Sequence, residues 1–189
     1  MEVNSSFILV ISDSHGGIAP LAAALKWARS PSCAYTFDKA VFLGDGFNDL
    51  ADACERAGVS VHWEAVQGNV DYPSSAYDKK ILDIPAKNSA FPSRKLFLSH
   101  GNRYRVKEEY KTIAVIARNM GAEAALFGHT HIPYCKTVDG IFLLNPGSIA
   151  CPRSRLGCTF AVLECPDSGP LRARFFDPVD PGKEIKVNA

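Results

Sequence analysis

Phe127-Gly128-His129-Thr130-His131 closes a short apolar run, Ala124-Ala125-Leu126-Phe127, and Pro133 follows it. Gly128 frees the backbone to turn, and Pro133 stops any helix. The run over 124–127 therefore reads as a strand whose end throws two imidazoles off the edge of a sheet toward one point in space. The chain has five histidines, and four of them (His15, His100, His129 and His131) lie at strand-like ends near glycine, three of them joined directly to it. The fifth, His62, sits inside an apolar run beside Trp63 and reads as a packed or surface residue. That bias is the first sign of a metal site.

The 189 residues around this stretch are enough for one domain with a substantial core. Apolar residues make up 47% of them, which argues against disorder. A formal net charge of +1 gives no electrostatic case for a nucleic-acid surface. No apolar run approaches the ~20 residues that cross a bilayer, so no membrane partner is expected. The first apolar run is strand-length and lacks a basic flank, and no secretory signal is read there. The six cysteines (Cys33, Cys54, Cys135, Cys151, Cys158 and Cys165) form no C-x-x-C pair. They read as free thiols of a cytoplasmic protein, with three disulfides as the alternative.

Residues 7–12 form a continuous apolar run, as in a strand buried on both faces. Asp13-Ser14-His15-Gly16-Gly17 follows, and in extended geometry Asp13 and His15 share a side. A helix is expected over 18–29. Taken alone, Asp13 reads as its cap and His15 as a loop residue. A second strand over 39–43 ends in Gly44-Asp45-Gly46, and Asn48 or Asp49 caps a helix running to Ala57. A third strand, over 59–66, ends in Gln67-Gly68-Asn69-Val70-Asp71. Strands over 76–84 and 94–99 come next, the second running into His100-Gly101. A helix over 107–120 is then stopped by Gly121.

Beyond the opening stretch, 134–138 and 141–144 flank Asp139-Gly140 as a hairpin. Asn145-Pro146-Gly147-Ser148 is a tight turn, and 158–164 and 171–176 are the last strands. Residues 177–189 are expected as a surface tail. One domain over 1–189, an α/β fold of two packed sheets flanked by helices, accounts for this order. Folds of this kind place ligand sites at strand ends.

Five strand ends thus carry Asp13/His15, Asp45, Asn69, His100 and His129/His131. Each has a plain structural explanation alone, but together they need five coincidences of one kind. In this order, Asp13-Ser14-His15, Gly44-Asp45, Gly68-Asn69, Ser99-His100-Gly101 and Gly128-His129-Thr130-His131 resemble the motifs of the calcineurin-like metallophosphoesterases. Asn145-Pro146-Gly147-Ser148 resembles the turn of that family's small bacterial and archaeal branch, the YfcE-like phosphodiesterases. The resemblance covers residues 7–153. It implies a four-layer α-β-β-α sandwich of two mixed sheets and a centre of two divalent metal ions. It further implies that Asp13, His15 and His131 hold one ion, that Asn69, His100 and His129 hold the other, and that Asp45 bridges both.

The donor types fit that chemistry by themselves. Carboxylate, imidazole and amide ligands suit Mn²⁺, the expected ion, or Fe, Zn²⁺ or Ni²⁺, better than an all-oxygen Mg²⁺ cage. Two ions ~3.5–4 Å apart can clamp a phosphoryl oxygen and acidify a bridging water, whose hydroxide attacks phosphorus in line with the leaving oxygen. Asp45, Asn69 and His100 are the expected catalytic residues, and Asn69 can also offer its NH₂ to a phosphate oxygen. No serine or cysteine nucleophile is indicated. Val70 stands where many family members have a histidine read as a general acid, and valine moves no proton. Asp71 is expected to point elsewhere. Arg153 reads as a phosphate contact or as a plain surface arginine.

The expected activity is hydrolysis of a small phosphate ester, a diester rather than a monoester, the diester preference coming from the resemblance. One alternative is a non-catalytic scaffold of the same fold, as in the retromer subunit that resembles this branch but has degraded motifs. Others are a phosphomonoesterase and a nuclease, the last unfavoured by the near-neutral charge. A homo-oligomer is compatible with each.

Overall fold

The computed structural model describes residues 4–72 and 75–187. In chain order its elements are β1 (Ser5–Ile11), α1 (Ile18–Ala28), β2 (Phe37–Phe42), α2 (Asp49–Ala57), β3 (Trp63–Ala65), β4 (Lys79–Ile84), β5 (Arg94–Ser99), α3 (Lys111–Asn119), β6 (Ala124–Leu126), β7 (Pro133–Val138), β8 (Ile141–Pro146), β9 (Phe160–Pro166), β10 (Arg172–Phe176) and β11 (Glu184–Ile185).

Alternation along β1 shows how the layers arise. Ile8 and Val10 point into a core shared with Val41, Leu43, Leu96, Leu98, Leu126 and Leu144. Leu9 and Ile11 point the other way, against Leu21 and Leu25 of α1 and Leu50 of α2. A strand buried on both faces needs apolar residues throughout, which explains the unbroken run. Behind the second sheet a third core packs Phe97 and Ala125 against Ile113, Ala114 and Ala117 of α3. The result is four layers, α-β-β-α.

Both sheets are mixed. One has the order β11-β10-β9-β1-β2-β3, the other β4-β5-β6-β8-β7. In the first, β1, β2 and β3 are parallel, and in the second β5, β6 and β8 are parallel. The loops that leave β1, β2 and β3 therefore share one edge, and those that leave β5 and β6 share another. Away from these loops, Glu64 on β3 pairs with Lys39 on β2 and with Lys80 on β4, tying the two sheets together at their margins.

Several expected boundaries move. The strand over 59–66 shrinks to Trp63–Ala65, because β3 is an edge strand with a single partner and pairs at only three positions. The helix over 107–120 starts at Lys111. Before it, a 3-10 turn (Asn102–Tyr104) ends at Arg105 in the left-handed region, and residues 105–108 turn rather than coil. Glu109 then accepts the backbone N–H groups of Lys111 and Thr112, supplying the start signal of α3. Within 177–189, expected as a tail, Glu184–Ile185 pairs with Phe175 and Phe176 as an added edge strand. Residues 188–189 of that stretch lie outside the described residues. The six cysteines are free thiols.

Candidate metal centre

The parallel strands deliver the candidate ligands in pairs of loops. Asp13 and His15 leave β1 and lie beside the loop after β2, with Asp13 N–H donating to Gly44 O at 2.9 Å and His15 N–H to Asp45 O at 3.1 Å. His100 leaves β5 and its carbonyl accepts Gly128 N–H at 3.0 Å, which sets His129 and His131 next to it. Among the described residues seven non-glycine residues have positive φ, and five are candidate ligands: Asp13, His15, Asp45, His129 and His131, with φ between 43° and 68°. Left-handed backbone at a residue other than glycine costs about 1 kcal/mol or more, and such strain gathers at functional sites. Five instances in one cluster show side chains aimed against local preference.

The aim is common. Asp13, His15, Asp45 and His131 bring ligand atoms within 4.8 Å of one another, and Asp45, His100 and His129 form a second such group. Asp45 belongs to both. Its Oδ1 accepts the Val70 N–H at 3.0 Å. Its Oδ2 lies 3.6 Å from His15 Nε2 and 3.2 Å from His100 Nε2. Asp13 is arranged alike. Its Oδ2 accepts from the Ser12 hydroxyl at 2.6 Å and from His129 N–H at 3.1 Å. Its Oδ1 is buried and receives no hydrogen bond, although His131 Nε2 is only 3.1 Å away.

The tautomers explain that orphaned oxygen. His131 Nδ1 is 2.6 Å from Cys151 O and His100 Nδ1 is 2.7 Å from Leu43 O. A carbonyl only accepts, so both Nδ1 atoms carry the proton and both neutral rings present a bare Nε2. His131 Nε2 then faces Asp13 Oδ1 and, at 3.2 Å, His15 Nε2. His100 Nε2 faces Asp45 Oδ2 and, at 3.2 Å, His129 Nδ1. Acceptors facing acceptors in a buried site need either extra protons or cations. The donor set therefore fits divalent metals, with the carbonyl partners orienting the rings as outer partners of metal-bound histidines do.

The same proximity governs proton affinity. Burial opposes charge on Asp45, but the His100 ring and the Val70 N–H hold its carboxyl at about 2. Burial also opposes charge on His100, yet Asp45 and Asp13 beside it raise the ring above the usual histidine value. His131 is raised by Asp13 at its Nε2. His129 is pushed down to about 4 by burial, by His100 and by the Lys107 ammonium.

The remaining expectations fall around this cluster. Asn69 is exposed and lies in a turn whose neighbours Gly68 and Val70 donate to Asp71 and Asp45. Val70 is 57% exposed. Asp71 belongs to neither ligand group, and its carboxylate accepts backbone N–H groups instead. Arg153 is exposed, and its N–H donates to His131 O at 3.1 Å. His62 is exposed and stands apart from both ligand groups. A cavity of about 460 Å³ lies at the N-terminal end of β2, lined by Arg29, Tyr35 and Lys39 among others, and contains no candidate ligand.

Sequence reasoning missed the groups that hold the loops. Asn145 Nδ2 donates to Gly128 O at 2.7 Å, Ser148 Oγ to Asp13 O at 2.6 Å, and Ser14 Oγ to Asp49 Oδ2 at 2.6 Å. The Asn-Pro-Gly-Ser turn is thus the clamp between the loops after β1 and β6. In the sequence it was visible as a tight turn and as part of the family resemblance, but not as a clamp.

The chain is similar to known proteins over most of its length. The chain is 28% identical over 179 residues to the "Probable metallophosphoesterase YsnB" of Bacillus subtilis (strain 168), covering 95% of this chain and 94% of that protein. It is 24% identical over 173 residues to the phosphodiesterase YfcE of Escherichia coli (strain K12), covering 83% and 86%. In fold it is similar to a phosphoesterase-like protein of Streptococcus pneumoniae TIGR4, with a TM-score of 0.73 at 23% identity over 94% of this chain and 92% of that one. It is also similar to Vps29 of Entamoeba histolytica, with a TM-score of 0.66 at 22% identity over 96% and 99%. Residues 7–168 match the calcineurin-like phosphoesterase superfamily domain, and the chain belongs to that family.

Proposed function

We propose that the chain is a phosphodiesterase with a centre for two divalent metal ions, Mn²⁺ before Fe, Zn²⁺ or Ni²⁺. In this reading Asp13, His15 and His131 hold one ion, Asn69, His100 and His129 hold the other, and Asp45 serves both. The observation that carries it is the one oxygen of Asp45 left free. Oδ1 is taken by Val70 N–H, so Oδ2 alone faces both groups of donors. When bound, the ions polarise the phosphate and turn water into the nucleophile.

The chain's own residues then position and screen. Strained backbone holds the ligands ready, so little reorganises during reaction. Arg153, whose charge reaches His131, and Lys107, whose charge reaches His129, would supply positive charge for a phosphate anion. Preference for a diester is supported by the likeness to YfcE, itself named a phosphodiesterase. Six unpaired thiols suit a reducing compartment, and we place the protein in the cytoplasm. The alternative, a non-catalytic scaffold of the same fold, gives no reason to keep five candidate ligands in strained backbone.

The test is metal content after incubation in Mn²⁺ and removal of the excess, followed by a panel of phosphodiesters and phosphomonoesters. About two ions per chain and faster diester turnover are expected. A chain that binds no ion sinks the enzyme and leaves the scaffold.

A further inference from the structure

We propose that Asp71 is a positioning residue for Asp45, setting which carboxylate oxygen the two donor groups share. The inference rests on the two-ion reading above. Asp71 is 7% exposed. Its Oδ2 accepts the N–H groups of Asp45 and Gly68, each at 2.7 Å. Its Oδ1 accepts those of Gly46 at 2.7 Å and Phe47 at 2.9 Å. Four backbone donors from two separate loops converge on one carboxylate.

The backbone explains why an anion is needed there. Gly44, Asp45 and Gly46 have φ of 92°, 58° and 137°, three positive values in succession. The consecutive N–H groups of Asp45, Gly46 and Phe47 meet in one concavity, an arrangement that binds anions. Asp71 fills it from the neighbouring loop. In return, the N–H of the preceding residue, Val70, donates to Asp45 Oδ1. The two aspartates are therefore locked reciprocally, each carboxylate held by backbone from the other's loop.

The lock would fix which Asp45 oxygen faces the two donor groups. With Oδ1 engaged by Val70, only Oδ2 of Asp45 remains for His15 and His100 to share. Without the Asp71 carboxylate, three N–H groups of the 45–47 turn would face no acceptor, and the turn would relax toward ordinary φ. Asp45 would rotate with it. Both oxygens of Asp71 are occupied by backbone, so it moves no proton in the reaction. Its part is exerted through Asp45.

The test compares Asp71→Asn with the parent and with Glu64→Gln, a change at the sheet margin that lowers stability without touching either loop. Mn²⁺ is titrated calorimetrically, and the loaded proteins are examined by electron paramagnetic resonance. Asp71→Asn should keep the parent's circular dichroism spectrum and bind its second ion about 10–100-fold more weakly. It should also lose the signal of exchange-coupled manganese, which Glu64→Gln retains. Two ions at parental affinity with the coupled signal intact overturn the inference while leaving the two-ion reading standing. A parent that binds no Mn²⁺ overturns both.

Should Asp71→Asn not fold, hydrogen exchange on the metal-free parent decides. The amides of Asp45, Gly46, Phe47 and Gly68 should exchange slowly together, and exchange at exposed-loop rates overturns the lock.

Discussion

His100 Nε2 lies 3.2 Å from Asp45 Oδ2, and the two residues belong to different sheets. Asp45 follows β2 of the six-stranded sheet and His100 follows β5 of the five-stranded one. His131 and Asp13 repeat the relationship at 3.1 Å, again one residue from each sheet. The centre therefore sits on the seam of the sandwich, and any ion held there joins the two layers. Metal binding and sheet packing become one equilibrium, so loading should raise the melting temperature as ligand binding to the native state does.

Asp45→Ala and His15→Ala separate the shared ligand from a single-sided one. Asp45 contributes to both donor groups, whereas His15 belongs to one and has a side chain 26% exposed. Asp45→Ala should weaken both ions by more than the about 10–100-fold typical of losing an outer partner. His15→Ala should weaken one. Metal stoichiometry and turnover, read after a check of folding, decide. Near-parental binding of two ions in Asp45→Ala would remove it as the bridge.

Acid should compete with metal. His100 and His131 are raised above the ordinary histidine value, so in the metal-free chain they hold their extra protons to higher pH. An ion must displace those protons. Affinity for Mn²⁺ should therefore climb as pH rises through the raised values and level off above them. His129, held at about 4, is already free of its extra proton near neutrality. In the metal-free chain the sign reverses. Raised histidines add stability that is full below the unfolded value of about 6.5 and is lost as pH rises through the folded ones. Calorimetry in buffers of different ionisation enthalpy counts the released protons, and no release at pH 6 would contradict the assignment.

Gly68→Ala tests the close packing of the two loops under Asp45. A Cβ built on Gly68 would run into Asp45 Oδ1 and the Asp45 backbone nitrogen. The clash should cost about 1–3 kcal/mol of stability. It should also lower metal occupancy, because Asp45 must move. Chemical unfolding of the metal-free variant gives the first quantity and metal analysis the second. A variant with parental stability and full occupancy would show that the loops have slack.

The clustered side chains were legible because their sequence signal is local. Each candidate stands shortly after a strand, beside glycine or a tight turn, and a buried parallel strand is an unbroken apolar run such as residues 7–11. The supports were not legible, since Asp71, Ser148 and Asn145 act across the fold on backbone atoms. No local pattern marks a carboxylate that will collect N–H groups from a loop 25 residues earlier. The same limit explains the boundaries. Residues 59–62 have strand-like composition but no partner, and 107–110 have helix-like composition but follow a left-handed Arg105.

On the phosphodiesterase reading, Val70 should govern how the leaving group departs. Its N–H holds Asp45 Oδ1 at 3.0 Å, so the residue stands at the centre, and its side chain is 57% exposed and apolar. A proton donor at this place contributes typically ~10²–10⁴-fold, most for poor leaving groups. With valine there, the leaving oxygen of a phosphodiester should depart with little help. Nitrophenyl diesters, whose leaving group is stable as an anion, should be hydrolysed far faster than alkyl diesters. The measurement is log kcat/KM against leaving-group pKa, under conditions where chemistry limits the rate. A steep negative slope is expected. Val70→His should flatten it, with the largest gain for the poorest leaving groups, because the imidazole would project from the same exposed position. A flat slope in the parent would contradict the account, since another group would then have to be supplying the proton. Lys107, whose charge reaches His129, would be the first residue to replace.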